Sequence, residues 1–256
     1  MHAAERERLI VEALGPTGFV SYRELERLLD ASPATIRRDL TRLEEQGRIV
    51  RVHGGARTPD EAESSPRLAG TPFELSIGQN IAAKKAIGKA AAAHVEPGEG
   101  IMVDGGTTTL QMCPHLAGLH CQVLTNSLHI VDALLPQQDT RILLPSGTLF
   151  REQNIILAAA GEDSMPRFHA PKLFMGAAAV GPQGIMQADV ILVAAERRLI
   201  DRAEKVILMV DSSKFAAQSG TIVCGLDEID VVITDAVPGH MAEILERAGV
   251  RIELAG

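Results

Sequence analysis

The segment from residue 58 to residue 71, TPDEAESSPRLAGT, divides this chain into two parts. It is rich in Pro, Ser, Ala, Gly and acidic residues and has no apolar period, which is typical of an interdomain linker. We therefore predict a small domain over residues 1–57 and a larger domain over residues 72–256.

The small domain holds ten Arg, no Lys and nine acids, although the whole chain has a net charge of −8. Arginine is the cation suited to bidentate contacts with phosphate and guanine.

The third of three short helices predicted in the small domain has the clearest signals. Ser32-Pro33 places an N-cap hydroxyl before a proline at the first helical position, and Gly47 is placed to end the helix. Ile36, Leu40 and Leu43 recur at i, i+4 and i+7. We expect these three side chains to form the buried stripe of the helix.

The opposite face of this helix is polar. At about 100° per residue, Thr35, Arg38 and Arg42 lie opposite the apolar stripe, and Arg37 lies at its flank. A short helix with such a face suits the major groove of DNA. The alternative is a small helical subdomain whose charged face is merely solvated.

The segments around this helix predict a winged helix-turn-helix. Ser21–Glu24 has the pattern of a capping box and should begin the second helix, after a short extended stretch at Phe19-Val20. Arg48–Val52 follows as a strand with alternating basic residues, and His53-Gly54-Gly55 comes next. We interpret this as a β-wing whose glycine tip approaches the sugar-phosphate backbone.

The larger domain alternates apolar runs with helical patterns. A helix is expected over residues 79–94, and short strands are expected around residues 100–103, 123–124, 141–144, 172–176, 206–210 and 231–233. This alternation predicts an α/β fold with a mainly parallel sheet covered on both faces.

Polar residues follow several of these strands, at the sheet edge where α/β proteins bind ligands. Asp104-Gly105-Gly106-Thr107-Thr108-Thr109 combines glycines, hydroxyls and a helix start, which can cradle a small phosphate ester. The spacing is neither that of a P-loop nor that of a dinucleotide fingerprint. The other candidates are Thr125-Asn126-Ser127, Gly147 and Asp211-Ser212-Ser213-Lys214. The alternative for each is a turn that uses these residues for structure alone.

Two strings in the small domain resemble the DeoR family of bacterial regulators. They are Ser32–Leu40, which reads S-x-x-T-I-R-R-D-L, and His53–Ala56, which reads H-G-G-A. The resemblance implies a winged helix-turn-helix that binds double-stranded operator DNA, usually as an oligomer. It also implies DNA contacts from Ser32, Thr35, Arg37, Arg38, Arg51 and His53. Asp39 would hold an arginine in place.

The resemblance extends through D-G-G-T-T-T, L-T-N-S, V-D-S-S-K-F and V-I-T-D in the larger domain. It implies an effector domain similar to ribose-5-phosphate isomerase and related sugar-phosphate and CoA-handling folds, with a phosphorylated sugar as the effector. Lys84 would contact phosphate or sugar, Asp104 would hold sugar hydroxyls, and Gly105–Thr109 would hold the phosphate. The implied function is a transcriptional repressor of a carbohydrate or polyol catabolic operon.

The main alternative is a sugar-phosphate isomerase-like enzyme with an appended DNA-binding domain. Such chemistry needs a general base with a partner, and Asp104 is a candidate without one. Glu196 is expected to be solvated, and the histidines and the three cysteines have no triad or metal-ligand spacing. We therefore predict that the protein is not an enzyme and that it binds no metal or cofactor. We also expect a cytoplasmic homodimer or homotetramer without a membrane segment.

Overall fold

The computed structural model of the chain describes residues 3–14, 19–29, 31–46, 48–52, 55–57, 73–151, 153–157, 166, 168–216 and 220–256. The chain forms two compact units, residues 1–66 and residues 67–256. The segment predicted as the linker lies outside the described residues.

The described residues of the first unit form three helices and a small antiparallel sheet. In chain order these are α1 (Ala3–Leu14), β1 (Phe19–Ser21), α2 (Tyr22–Leu28), α3 (Pro33–Glu45), β2 (Val50–Val52) and β3 (Gly55–Arg57). The strand order is β1-β3-β2, and both pairings are antiparallel. The predicted wing strand and the short extended stretch before the second helix are therefore confirmed.

Helix α3 begins as the sequence predicts. Ser32 is its N-cap and accepts a hydrogen bond from the backbone N–H of Thr35, and Pro33 occupies the first turn. Ile36, Leu40 and Leu43 are fully buried in the core of this unit. Of the other predicted signals, the side chains of the Ser21–Glu24 capping box and the stop at Gly47 lie outside what the structure describes.

The second unit is an α/β domain. Its helices are α4 (Phe73–Ser76), α5 (Ile81–Ala92), α6 (Leu128–Leu134), α7 (Val190–Ile200) and α8 (Gly239–Arg247), with 3-10 helices at Thr109–His115, Ser212–Phe215 and Leu226–Glu228. Its strands are β4 (Gly100–Val103), β5 (Gln122–Leu124), β6 (Arg141–Leu143), β7 (Thr148–Phe150), β8 (Ile155–Leu157), β9 (Ala170–Met175), β10 (Ala179–Gly181), β11 (Gly184–Gln187), β12 (Ala203–Met209), β13 (Thr221–Cys224), β14 (Val231–Thr234) and β15 (Arg251–Leu254).

Seven of these strands form one parallel sheet in the order β15-β14-β12-β9-β4-β5-β6. All six strands predicted from the sequence belong to it, so the expected α/β fold is confirmed. The chain builds outward from β4 to β6, returns to place β9 beside β4, and then builds outward to β15. The strand order thus reverses between β4 and β9, and the carboxyl ends of these two strands flank the crevice where such sheets bind ligands.

Alternate residues of each strand face opposite sides of the sheet, and each side has its own apolar core. Met102 of β4 packs with residues of α7 and α8, whereas Ile101 and Val103 pack with residues of α5 and α6. Gly88 of α5 lets that helix approach the 3-10 helix after Asp104, because a Cβ at residue 88 would lie 2.5 Å from the carbonyl carbon of Gln111. This close packing holds the 3-10 helix that follows the Asp104–Thr109 loop against α5.

Two smaller antiparallel pieces were not predicted from the sequence. Strands β7 and β8 form a hairpin, and β10, β11 and β13 form a three-stranded sheet. All five of these strands are three or four residues long, too short for an apolar period to stand out.

Candidate functional site

The outer face of α3 presents arginines to solvent that have no ion pair among the residues the structure describes. Arg37 and Arg38 are exposed, and Thr35 is half-buried beside the N-cap, with its Oγ1 2.9 Å from Oγ of Ser32. The apolar stripe is buried on the opposite side, so both arginine side chains lie on the solvent face of the helix. DNA contacts from Ser32, Thr35, Arg37 and Arg38 stay a prediction.

Two residues of α3 are tied to α1 instead. Arg42 donates to the carboxylate of Glu7 at 2.9 Å, although its side chain remains 52% exposed. Asp39 is buried and accepts two hydrogen bonds from Arg6, at 2.7 and 3.2 Å. The arginine that Asp39 was expected to hold is therefore Arg6, and this pair joins α3 to α1.

The predicted wing contacts are only partly described. Arg51 lies in β2, where its backbone pairs with Ala56 of β3. His53 lies outside the described residues. Both remain predictions from the sequence.

The Asp104–Thr109 loop leaves β4 at the point where the strand order reverses. The Thr109 hydroxyl donates to the carbonyl oxygens of Asp104 and Gly106, at 2.8 and 3.0 Å, so it holds the loop closed. Gly105 is packed so closely that a Cβ there would lie 3.1 Å from Cβ of Ser127. Thr107 is half-buried and Thr108 buried, which leaves Gly105–Thr107 as the more accessible part of the loop.

Asp104 and Glu196 form a buried pair of carboxyl groups beneath this loop. Burial raises the pKa of Asp104 to about 7, although a hydrogen bond from the backbone N–H of Gly105 acts to lower it. Burial and the neighbouring Asp104 charge also raise the pKa of Glu196, while a hydrogen bond from Gln187 opposes this. The expectation that Glu196 is solvated is wrong, because β11 covers α7 here and leaves Glu196 only 4% exposed. The second oxygen of Glu196 has no hydrogen-bond partner within the described part of the chain.

Lys84 belongs to a second buried cluster, at the end of β12. Its ammonium group donates to the carbonyl oxygen of Ser76 at 2.7 Å. Burial lowers the pKa of Lys84, Asp211 raises it and Lys214 lowers it. Asp211 is buried and accepts hydrogen bonds from Ser213 and, at 2.8 Å, from the side-chain amide of Asn80. The structure thus brings Lys84 and Lys214 together around one carboxylate.

The predicted hydroxyls of this turn have internal partners. Ser213 donates to Asp211, and Ser212 donates to Asp235 at 3.0 Å. Burial alone would raise the pKa of Asp211, but the hydrogen bonds from Ser213 and Asn80 and the charge of Lys214 hold it below its ordinary value. Of the turn, the half-buried Lys214 is the residue best able to reach a ligand.

The Thr125-Asn126-Ser127 turn follows β5. The Thr125 hydroxyl accepts from the backbone N–H of Ser127, and the Ser127 hydroxyl caps α6 by accepting from Ile130. Asn126 is buried and lines a pocket under α7. Gly147, the remaining predicted residue, is exposed two positions after Pro145, which lines the same pocket.

Both halves of the chain match families of known proteins. Residues 6–62 match the DeoR-like helix-turn-helix domain, and residues 79–236 match the DeoR C-terminal sensor domain. The chain is 31% identical over 255 residues to the HTH-type transcriptional regulator UlaR of Shigella dysenteriae, covering 98% of this chain and 99% of that protein. The UlaR of Escherichia coli strain K12 shows the same identity and coverage.

Solved structures give weaker likenesses. Ribose 5-phosphate isomerase A of Methanocaldococcus jannaschii aligns with a TM-score of 0.40 and 14% identity, over 54% of this chain and 55% of that one. The full-length sorbitol operon regulator SorC of Klebsiella pneumoniae aligns with a TM-score of 0.41 and 10% identity, over 96% of this chain and 99% of that one.

A winged helix-turn-helix joined to an α/β sensor domain defines a class of DNA-binding regulator. The chain belongs to the DeoR family of transcriptional regulators, which is a family of DNA-binding proteins rather than of enzymes. None of the helices in the described ranges has the length and apolar character needed to cross a membrane.

Proposed function

We propose that this regulator represses a carbohydrate or polyol catabolic operon and releases its operator when a phosphorylated sugar binds the second unit. The observation that carries the proposal is the buried polar edge of the parallel sheet, at the point where the strand order reverses. Lys84, Asp104, Thr125, Asn126 and Asp211 are each at most 5% exposed there. Buried polar groups cost free energy unless they are paired, and a site that binds a polar ligand is a common reason to retain them.

On the DNA side, α3 enters the major groove with Thr35, Arg37 and Arg38 facing the bases and phosphates. Ser32 and Arg42 contact phosphate at its two ends, and Arg51 and His53 of the wing contact the backbone nearby. Two copies of the chain bind a repeated operator sequence as a homodimer, or four copies as a homotetramer.

On the ligand side, the backbone N–H groups and hydroxyls of Gly105, Gly106, Thr107 and Thr108 hold the phosphate, and Thr109 shapes the loop. Lys84 and Lys214 supply positive charge, and Asp104 accepts from sugar hydroxyls. Thr125, Asn126 and Gly147 border the same edge.

The contacts of Lys84 suggest how binding reaches the DNA-binding unit. Helix α4 is the first described element after the segment that joins the two units, and Lys84 holds it through the carbonyl oxygen of Ser76. Phe73 of α4 stacks on His129 of α6, with ring centroids 3.8 Å apart. A phosphate that draws Lys84 toward the loop removes its hydrogen bond to Ser76 and loosens α4. The effector shifts the protein between the two states only as far as its affinities for them differ.

The test is a gel shift of the chain with the DNA upstream of its own gene, against unrelated DNA, at about 150 mM salt because phosphate contacts make affinity salt-dependent. A panel of phosphosugars is added to the complex. We expect specific binding that one phosphosugar weakens, and a Lys84→Ala variant that binds the same DNA but no longer responds. Normal release from Lys84→Ala would place the effector elsewhere. Equal affinity for both DNAs, found also with other promoter regions, would overturn the proposal.

A further inference from the structure

The pocket under α7 has a single ionisable side chain among its lining residues. Apolar and weakly polar walls come from Leu124, Pro145 and Leu199, and Arg198 of α7 faces the same space as Asn126. Arg198 was not singled out in the sequence. The residue is half-buried.

Arg198 differs from its neighbour Arg197 in its partners. Arg197 donates to Glu228 and to Asp201, both at 2.7 Å. The guanidinium group of Arg198, by contrast, has no carboxylate partner or hydrogen bond to any residue within the described ranges. Since no protein group within those ranges accepts from it, all five N–H donors of this guanidinium group are available to a ligand.

Asn126 supplies a second unpartnered group in the pocket. It is 5% exposed, and its side-chain oxygen has no hydrogen-bond partner among the residues that the structure describes. The hydroxyls on either side of it are both occupied, that of Thr125 by Ser127 N–H and that of Ser127 by Ile130 N–H. Leaving a buried acceptor unpaired is unfavourable, so the oxygen of Asn126 needs a donor, which a water molecule or the hydroxyl of a ligand can supply.

We propose that Arg198 and Asn126 form an anion-binding subsite, in which Arg198 binds an oxyanion of the effector and the Asn126 oxygen accepts from an adjacent hydroxyl. The inference rests on the proposed function, because it assigns the subsite to the effector. The ligand is then a hydroxylated oxyanion that reaches from the Asp104 loop to α7. A phosphate and a carboxylate both have this chemistry, and planar bidentate recognition by arginine suits either.

The experiment measures the reactivity of Arg198 in the full chain towards phenylglyoxal, an arginine-specific reagent, by peptide mass spectrometry. Inorganic phosphate and glycolate, whose hydroxyl adjoins its carboxylate, serve as probes up to about 50 mM, since minimal anions bind weakly. We expect one of the two to protect Arg198 and to leave the exposed Arg141 unprotected. Protection by phosphate or by glycolate alone identifies the anion. No protection by either, or equal protection of Arg141, would overturn the subsite.

Variants test the same subsite through the response to effector. Arg198→Lys and Arg198→Ala should raise the phosphosugar concentration needed to release DNA by about tenfold or more, since they remove charge-assisted hydrogen bonds. Asn126→Asp should do the same by placing a carboxylate opposite Arg198.

Arg197→Ala is the matched control and should leave the response unchanged. An unchanged response of Arg198→Ala would overturn this inference and leave the proposed function standing. If the unmodified chain binds no DNA specifically, the proposed function fails, and the anion-binding subsite is then judged by the phenylglyoxal protection alone.

Discussion

The outer face of α3 and the edge of the parallel sheet use polar residues in opposite ways. On α3, Arg37 and Arg38 are exposed and without ion pairs in the described part of the chain, on the side of the helix opposite its buried apolar stripe. At the sheet edge, Asp104, Asn126 and Asp211 are buried, and the pKa values of Asp104 and Asp211 are displaced in opposite directions. The outer face of α3 can therefore gain or lose a charge without a change in the stability of the fold. The sheet edge cannot, because its carboxyl groups are buried in the interior.

The difference matches the two partners. DNA presents an extended anionic surface that is met by exposed cations, and much of the binding energy comes from the release of counterions. A small effector must instead be enclosed and distinguished from similar metabolites, which requires buried groups that a wrong ligand would leave unpaired. The comparison predicts that substitutions on the outer face of α3 change DNA binding and leave the stability of the fold unchanged. Substitutions at the sheet edge should change both effector binding and stability.

The largest expected effect is that of Arg38→Ala on operator binding. Loss of one base or phosphate contact costs about 1–3 kcal/mol, and a symmetric dimer loses it twice, so affinity should fall about 100-fold or more. The temperature of unfolding should not change, because the side chain is exposed and has no ion pair within the described ranges. Footprinting on operator DNA measures the first quantity, and circular dichroism measures the second.

Arg8→Ala is the control for this prediction. Arg8 is also an exposed arginine of the first unit, but it pairs with Glu12 on the surface of α1. Its removal should lower affinity far less than that of Arg38. Unchanged occupancy of the operator by Arg38→Ala would show that α3 does not lie in the groove.

The difference between the two regions also explains what the sequence can reveal. Ser32 caps α3 through the nearby Thr35, and Leu40 belongs to an apolar stripe that is visible within two turns of the sequence, so local patterns suffice to predict both. The strands of the sheet follow from their apolar composition in the same way. Their order does not, because nothing local to β9 indicates that it returns beside β4. The point where the strand order reverses is a property of the whole domain.

The same limit applies to single residues of the site. Asp104 and Lys84 could be selected because they stand next to recognisable strings. Glu196 is buried because Gln187 and Asp104 lie against it, and Arg198 differs from Arg197 because Glu228 reaches only one of them. These partners are distant in the sequence or belong to other elements, so no periodicity indicates them.

The second prediction concerns the pH dependence of stability. Burial raises the pKa of Asp104 from 3.8 to about 7, so the folded state holds this proton more tightly than the unfolded chain. The resulting contribution to stability is complete below pH about 4 and is lost as the pH rises through about 7. Asp104→Asn removes this titration, so the variant should lose less stability than the unmodified chain between pH 5 and pH 8, by on the order of 2 kcal/mol.

Hydrogen exchange at the amides of β4 and β9 measures this stability in the second unit. Tyr22, the single tyrosine of the chain, reports unfolding of the first unit by its fluorescence and serves as the internal reference. The first unit should respond equally in both proteins. A parallel pH dependence of the two proteins at β4 would show that Asp104 does not titrate in this range. Glu196 contributes a slope of the same sign, because burial and the neighbouring Asp104 also raise its pKa.

The smallest effect should be that of Arg42→Ala, and it tests whether every arginine on α3 belongs to the DNA-binding face. Arg42 already has a partner in Glu7, so its charge is partly neutralised before DNA arrives. Its loss should weaken operator binding by about two- to fivefold, as expected for a half-exposed ion pair worth under about 1 kcal/mol. Glu7→Gln should have the opposite effect, because it frees Arg42 for phosphate. If Arg42→Ala proves as damaging as Arg38→Ala, the pair with Glu7 opens on DNA and the whole outer face of α3 acts as one surface.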